Sequence, residues 1–300
     1  AACVRCHTST GFATYAAAVQ QDPGFQGEVG VPVGEVIDCT ACHGDAALQL
    51  RAVPFPSGQV VNVEWPDSPC MACHQGRSAA ATVDGAVAAV KSTEADTPDA
   101  DLRFVNIHYT AAAATLLGAE VRGAYEYPGE TYRGRNRHVD PFDGCVECHH
   151  WHTGQVRGDD CRVCHYTGRN PDDRTQIRMA DIDYDGDGDT AEGISGEIAT
   201  MSEALYAEIQ AYAAGTVGTP IGYDVGRYPY FFVDDNADGL TNQDTTRYNA
   251  WTPRLLRAAY NYHFVIKDRG AFAHNPNYVL QILFDALDDL GGNVRGLTRP

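Results

Sequence analysis

The chain has 300 residues, with 40 Asp and Glu against 22 Lys and Arg, for a formal net charge of −18. Acidity of this size excludes nucleic acid as a partner, because that binding rests on cations neutralising phosphates. No stretch approaches the roughly 18–20 apolar residues needed to cross a bilayer; residues 111–119 come nearest, but they are Ala-dominated and broken by Gly118, so the chain is expected not to be membrane-spanning.

The chain opens Ala1-Ala2-Cys3, without Met or a basic-then-apolar leader, and so reads as a mature chain whose signal peptide has gone. Cys3-Val4-Arg5-Cys6-His7 follows at once. Residues 22–63 are rich in Gly, Pro and Val and predict loops, with at best a short hairpin near Gln59-Val60-Val61-Asn62-Val63. Within and after them come Cys39-Thr40-Ala41-Cys42-His43 and Cys70-Met71-Ala72-Cys73-His74. A helix-forming stretch from Ala111 to Leu117 and an Arg-rich turn at Arg133-Gly134-Arg135-Asn136-Arg137 precede Cys145-Val146-Glu147-Cys148-His149 and Cys161-Arg162-Val163-Cys164-His165. Past residue 193, Ile198, Met201, Leu205, Ile209 and Tyr212 recur at helical spacing, with Ser195 as N-cap and Gly215 as stop. Two further helices are expected at about Pro253–Lys267 and Pro276–Leu290.

Ten cysteines could form disulfides, hold zinc or attach haem. The histidine decides between these. All ten fall in five Cys-x-x-Cys-His motifs, and none is left over. The spacing suits covalent haem: two thioethers anchor the vinyl groups, and the adjacent imidazole reaches the iron. Five haem c groups are therefore expected, on Cys3, Cys6, Cys39, Cys42, Cys70, Cys73, Cys145, Cys148, Cys161 and Cys164, with His7, His43, His74, His149 and His165 as proximal ligands. Their propionates would add up to roughly ten further negative charges. Covalent attachment happens outside the cytoplasmic membrane, which places the protein outside the cell or on its surface, with the periplasm as alternative.

Of eleven histidines, six remain. Low-spin electron carriers need a second axial ligand, so bis-histidine ligation is expected, with His108, His138, His152, His274 and His263 as distal candidates. His152, three residues past His149, is placed to serve a neighbouring haem. His150 cannot reach the far face of its own haem. His274 precedes Pro276 at a helix start, and His263 falls within a helix. Met179 and Met201 are weaker alternatives, since Met71 lies inside a motif. The Arg-rich turn before His138 offers cations to propionates.

Residues 181–192 follow the twelve-residue EF-hand calcium loop, with Asp181, Asp183, Asp185 and Asp189 at positions 1, 3, 5 and 9, Gly186 at 6, the Asp187 carbonyl at 7 and Glu192 at 12. So many carboxylates repel one another unless a cation neutralises them. Ca2+ is expected there as a structural brace. A second, degraded copy runs from Asp234 to Asp244, with Thr245 in place of the terminal Glu.

The serial CxxCH motifs, the Cys148-His149-His150-Trp151-His152 element and the scattered histidines resemble extracellular multihaem c-type cytochromes, including filament-forming (nanowire) ones. The segment 268–290 is similar to a C-terminal part of relatives of octahaem hydroxylamine-oxidising and nitrite-reducing enzymes. No motif here carries the Lys of those enzymes, which puts their catalysis in doubt. The expected fold is a loop-rich, helix-containing multihaem cytochrome: a haem-packed region at 1–170, and a helical, calcium-braced region at 171–300 co-folded with it. The function implied is electron transfer through five bis-His haems, by a carrier rather than an enzyme. Expected partners are other cytochromes, identical subunits stacked head to tail, or an extracellular electron donor or acceptor. The position of Cys3 suggests an exposed first haem at such a junction. The alternative is a multihaem oxidoreductase with one open-coordination haem.

Overall fold

A computed structural model describes residues 3–31, 34–90, 94–165, 173–178, 180–236, 238–241 and 246–300. Met179, the stretch 166–172 and the end of the second acidic loop (242–245) lie outside the described residues.

The three C-terminal helices form where the apolar spacing predicts them. The helix Ile194–Tyr212 buries Ile198, Met201, Leu205, Ile209 and Tyr212 along one face. Its N-cap is Gly193, not Ser195, and its stop comes later than Gly215. The backbone widens into a π-type turn over Ala213–Val217 and reverses at Gly218, whose φ of 79° is the left-handed geometry that ends helices. Pro253–Lys267 starts at a Thr252 side chain that accepts from the Leu255 amide. Pro276–Leu290 starts at Asn275, whose side chain accepts from the Tyr278 amide, and ends at Gly291. The three helices pack on one another.

The preceding part is built from short turns of helix joined by loops. Its longest helix, Ser9–Gln21, is capped by the Thr8 side chain. The expected hairpin is there: Ala52–Pro54 pairs antiparallel with Val60–Asn62, with Val53 opposite Val61. A second hairpin, Ile221–Tyr223 with Phe231–Val233, has no counterpart in the sequence pattern. The Ala-rich helix Ala112–Leu117 ends at Gly118 (φ 52°), where a Cβ would stand 2.3 Å from the Arg133 carbonyl oxygen.

One connected set of buried apolar side chains runs from Val4 to Leu290. Polar bonds tie its two ends. Asn261 exchanges hydrogen bonds with the backbone of Tyr125 (2.7 and 2.9 Å), and the Tyr260 hydroxyl donates to the Gly123 carbonyl (2.7 Å). The Tyr278 hydroxyl donates to Glu126 (3.0 Å).

Candidate haem centres and acidic loops

Each CxxCH motif folds as a single helical turn. The amides of His7, His43, His149 and His165 donate to the carbonyl of the first cysteine of their motif, at 3.1, 2.8, 2.8 and 2.9 Å, while His74 ends the helix Asp67–His74. An i to i+4 turn puts the two thiols, three apart, and the imidazole on one face. None of the ten cysteines is in a disulfide. Among the described residues, no group of three or more metal-binding side chains contains a cysteine, so zinc has no nest here.

The motifs lie close together. The thiols of Cys6 and Cys73 are hydrogen-bond partners, as are those of Cys70 and Cys145. Asp67, at the start of the third motif's helix, accepts from the amides of Cys145 (3.0 Å) and Val146 (3.3 Å), which locks the third motif to the fourth. Cys148 lies within electrostatic reach of Cys161, and Cys42 within reach of Cys70.

Four histidine pairs stand out. Their ring centroids lie 6.4 Å apart for His7 and His108, 6.2 Å for His43 and His152, 5.8 Å for His165 and His138, and 6.4 Å for His149 and His274. Each pair joins one CxxCH histidine to one histidine from elsewhere, and none joins two of a kind. Imidazole nitrogens bind first-row metals at about 2.0–2.1 Å, as they do zinc, so two rings on opposite sides of one metal hold their centroids roughly 6 Å apart. The donor sets therefore fit bis-imidazole iron.

Local bonds orient several of the rings. The Nδ1–H of His149 donates to the Gly154 carbonyl (2.9 Å), inside a turn closed by the His150–Gln155 and Gly154–His150 backbone bonds. That of His274 donates to the Asp268 carboxylate (2.8 Å). Burial opposes charge on both partners of this second pair, yet their attraction wins: Asp268 is held below its ordinary value and His274 above it. A ring whose Nδ1–H is so engaged presents Nε2 to a metal as a stronger donor. Burial lowers His108 and His165, which keeps both neutral, as ligation requires. His108 sits at φ 79°, outside the usual range for a residue with a Cβ.

The structure brings His263 to none of the motif histidines. It is fully buried, and burial pushes its pKa down to about 3. Its Nδ1 accepts from the Tyr223 hydroxyl (2.9 Å) and its Nε2–H donates to the Asn106 side-chain oxygen (3.0 Å). One neutral tautomer satisfies both bonds and leaves no nitrogen for iron. That same Asn106 oxygen accepts from the His108 amide (2.7 Å), so His263 acts on the His108 backbone from behind. Asn106 thus fixes the backbone at His108; the sequence signal was its place two residues before that candidate histidine, in an Asx-turn position.

Asp183 accepts from the amides of Gly186 (2.6 Å) and Gly188 (2.9 Å), much as Asp234 accepts from those of Asp238 (3.2 Å) and Gly239 (2.8 Å). Counted from Asp181, Asp183, Asp185 and Asp187 are the third, fifth and seventh residues of the loop. The carboxylates of these three converge, as do those of Asp185, Glu192 and Glu197. Asp181 and Asp189 join neither group; Asp189 accepts from the Ala191 amide (2.8 Å).

Glu197 is the residue the sequence reading missed. Its carboxylate takes the amides of Tyr184 (2.8 Å) and Asp185 (2.9 Å) and the guanidinium of Arg178 (2.5 Å), and so braces the loop. The visible signal was an acid in the first turn of the next helix. Asp185, only 7% exposed, has one oxygen without a partner, and so does Glu192. Burial, then the charges of Asp185, Glu197, Asp187 and Asp189, push Glu192 up to about 7.

Comparison with known proteins agrees with the motifs. The chain is 26% identical over 344 residues to the C-type polyheme cytochrome OmcB of Geobacter sulfurreducens, covering 95% of this chain and 43% of that protein. It is 25% identical over 354 residues to the C-type polyheme cytochrome OmcC of the same organism, covering 96% of this chain and 42% of that protein. The chain thus spans less than half the length of the curated relatives it matches. No protein-family model matches it. No solved structure matches it either. The chain resembles the multihaem c-type cytochromes, and among the described residues no helix is long and apolar enough to cross a membrane.

Proposed function

We propose that this chain transfers electrons through five covalently bound c-type haems packed against one another. The observation that carries this is the set of four one-to-one histidine pairs at 5.8–6.4 Å, each closing a different motif. Bound there, haem iron would supply reversible one-electron chemistry, at low potential for His/His ligation. The chain's own residues do the rest. The cysteines would hold the haems covalently, and the paired histidine rings, already 5.8–6.4 Å apart, would supply their nitrogens to the iron. Asp268, bonded to the Nδ1–H of His274, would orient that ring and make its Nε2 the stronger donor to a metal. Arg5 and Arg135 each bury a guanidinium Nε without a partner, and both suit a propionate.

We read the partners as other cytochromes or further copies of this chain head to tail, and the location as outside the cytoplasmic membrane, where such attachment is made. Electron micrographs showing only dispersed particles at high concentration would exclude the filament form.

The acidic loop reads as a calcium brace. Asp183, Asp185, Asp187 and Glu192 supply the oxygens, and the partnerless oxygens of Asp185 and Glu192 call for a cation. The loop at Asp234–Asp238 is a second candidate. The haem reading is tested on the mature protein by pyridine haemochrome analysis and reductive voltammetry. About five haems per chain, reduced at low potential, are expected; disulfide or zinc stoichiometry in their place would exclude it.

A further inference from the structure

We infer that Asp185, Glu192 and Glu197 hold a second divalent cation, deeper than one placed among Asp183, Asp185 and Asp187, so that the acidic loop takes two calcium ions that share Asp185. This rests on the calcium reading above and deepens it, because Glu197 lies outside the twelve-residue loop and joins it as a ligand.

The oxygens around one calcium each stand at about 2.3–2.6 Å from it, and so lie within about 5 Å of one another. Two sets of carboxylates meet that limit. Asp183, Asp185 and Asp187 form one, and Asp185, Glu192 and Glu197 the other, each residue giving one oxygen within 4.8 Å of the rest. Among the described residues, no such group of three joins Asp183 or Asp187 to Glu192 or Glu197. One ion therefore cannot gather all five side chains as they stand.

The inner set points to a ligand on its own account. Asp185 is only 7% exposed, and its Oδ2 has no hydrogen-bond partner; nor has the buried Oε1 of Glu192. A charged oxygen buried without a partner is costly, and a cation removes that cost. Glu197 is fully buried and, as a carboxylate, offers about four lone pairs. The amides of Tyr184 and Asp185 take two at Oε2 and Arg178 takes one at Oε1, which leaves one for an ion.

Gly196 makes room for the arrangement. A Cβ there would overlap the Glu192 carboxylate, so the first turn of the helix Ile194–Tyr212 receives it only because the residue is glycine. Charge and donor type then fix the ligand class. Three carboxylates against the Arg178 guanidinium leave two negative charges, which one divalent ion neutralises. All the donors are oxygens, without histidine or cysteine, which selects a hard cation such as calcium over zinc or copper. An ion there ties the loop to the helix and, through the Thr298 amide on the Tyr184 carbonyl (2.9 Å), to the segment 296–298.

The test measures calcium bound per chain, by equilibrium dialysis and elemental analysis of the mature, haem-loaded protein. Glu192→Gln and Asp187→Ala should each bind about one calcium fewer than the unsubstituted chain, and the double variant about two fewer. Gly196→Ala keeps every carboxylate and should lose the same ion as Glu192→Gln, with haem content and helical circular dichroism unchanged. A double variant that loses only about one ion, as each single variant does, would overturn the inference and leave a single-ion calcium brace standing. Variants that all bind as much calcium as the unsubstituted chain would overturn the calcium reading and this inference together.

Discussion

Before residue 166 the longest helix has 13 residues, and most CxxCH turns have four. After residue 193, three helices of 19, 15 and 15 residues bury continuous apolar faces on each other. The second region can be held by side-chain packing, which is where most helical stability comes from. The first shares the same buried core through Phe12, Tyr15, Leu50 and Phe55, but is built of short turns and loops that set four motif histidines opposite four others. One chain thus combines a loop-rich region that carries the CxxCH motifs with a helical one, joined through Thr110–Lys267 and Tyr125–Asn261.

The largest expected effect separates the two. A chain produced without haem attachment should lose amide-exchange protection throughout residues 3–165 and retain it in the three long helices; uniform protection would break the distinction. Next in size, Leu205→Ala should cost about 2–5 kcal/mol through the cavity it leaves, read by thermal melting of the loaded protein. A loss below 1 kcal/mol would show that the haems, not the helices, set global stability.

His263→Gln is expected to cost roughly 1–3 kcal/mol at neutral pH by leaving Tyr223 or Asn106 short of a partner. It should also change acid sensitivity. Folding holds His263 near 3 while the unfolded chain protonates it near 6.5, so its contribution is full above 6.5 and is lost as pH falls towards 3. The variant should show a shallower loss across that window in pH-dependent denaturation. An unchanged slope would remove His263 from the account of His108.

The acidic loop gives the smallest effect, and an opposite slope. Without a cation, the folded chain holds Glu192 near 7 against an ordinary 4.5, so it binds more protons folded than unfolded. Stability in chelator should therefore fall as pH rises from about 4.5 to 7, and calcium should abolish that slope. Identical melting curves with and without chelator at pH 7 would make the loop merely solvated.

The helical region was legible because periodicity and caps are local: Thr252 with Pro253, and Asn275 with Pro276, mark starts without any tertiary knowledge. The local shape of the motifs was legible for the same reason, since CxxCH is one helical turn. The pairing of distal histidines was not, because it depends on where loops carry His108 and His138. His263 looked equivalent to His274 by spacing, and only burial between Tyr223 and Asn106 separates them. The acidic loop was legible by composition, but its bracing by Glu197, which lies outside the twelve residues, depends on how the next helix packs.

The central claim is the pairing itself, and an experimental structure of the haem-loaded chain tests it most directly. The expected result is iron between His7 and His108, His43 and His152, His165 and His138, and His149 and His274, with His263 free of metal. Iron bound to His263, or motif histidines closed by other partners, would contradict it.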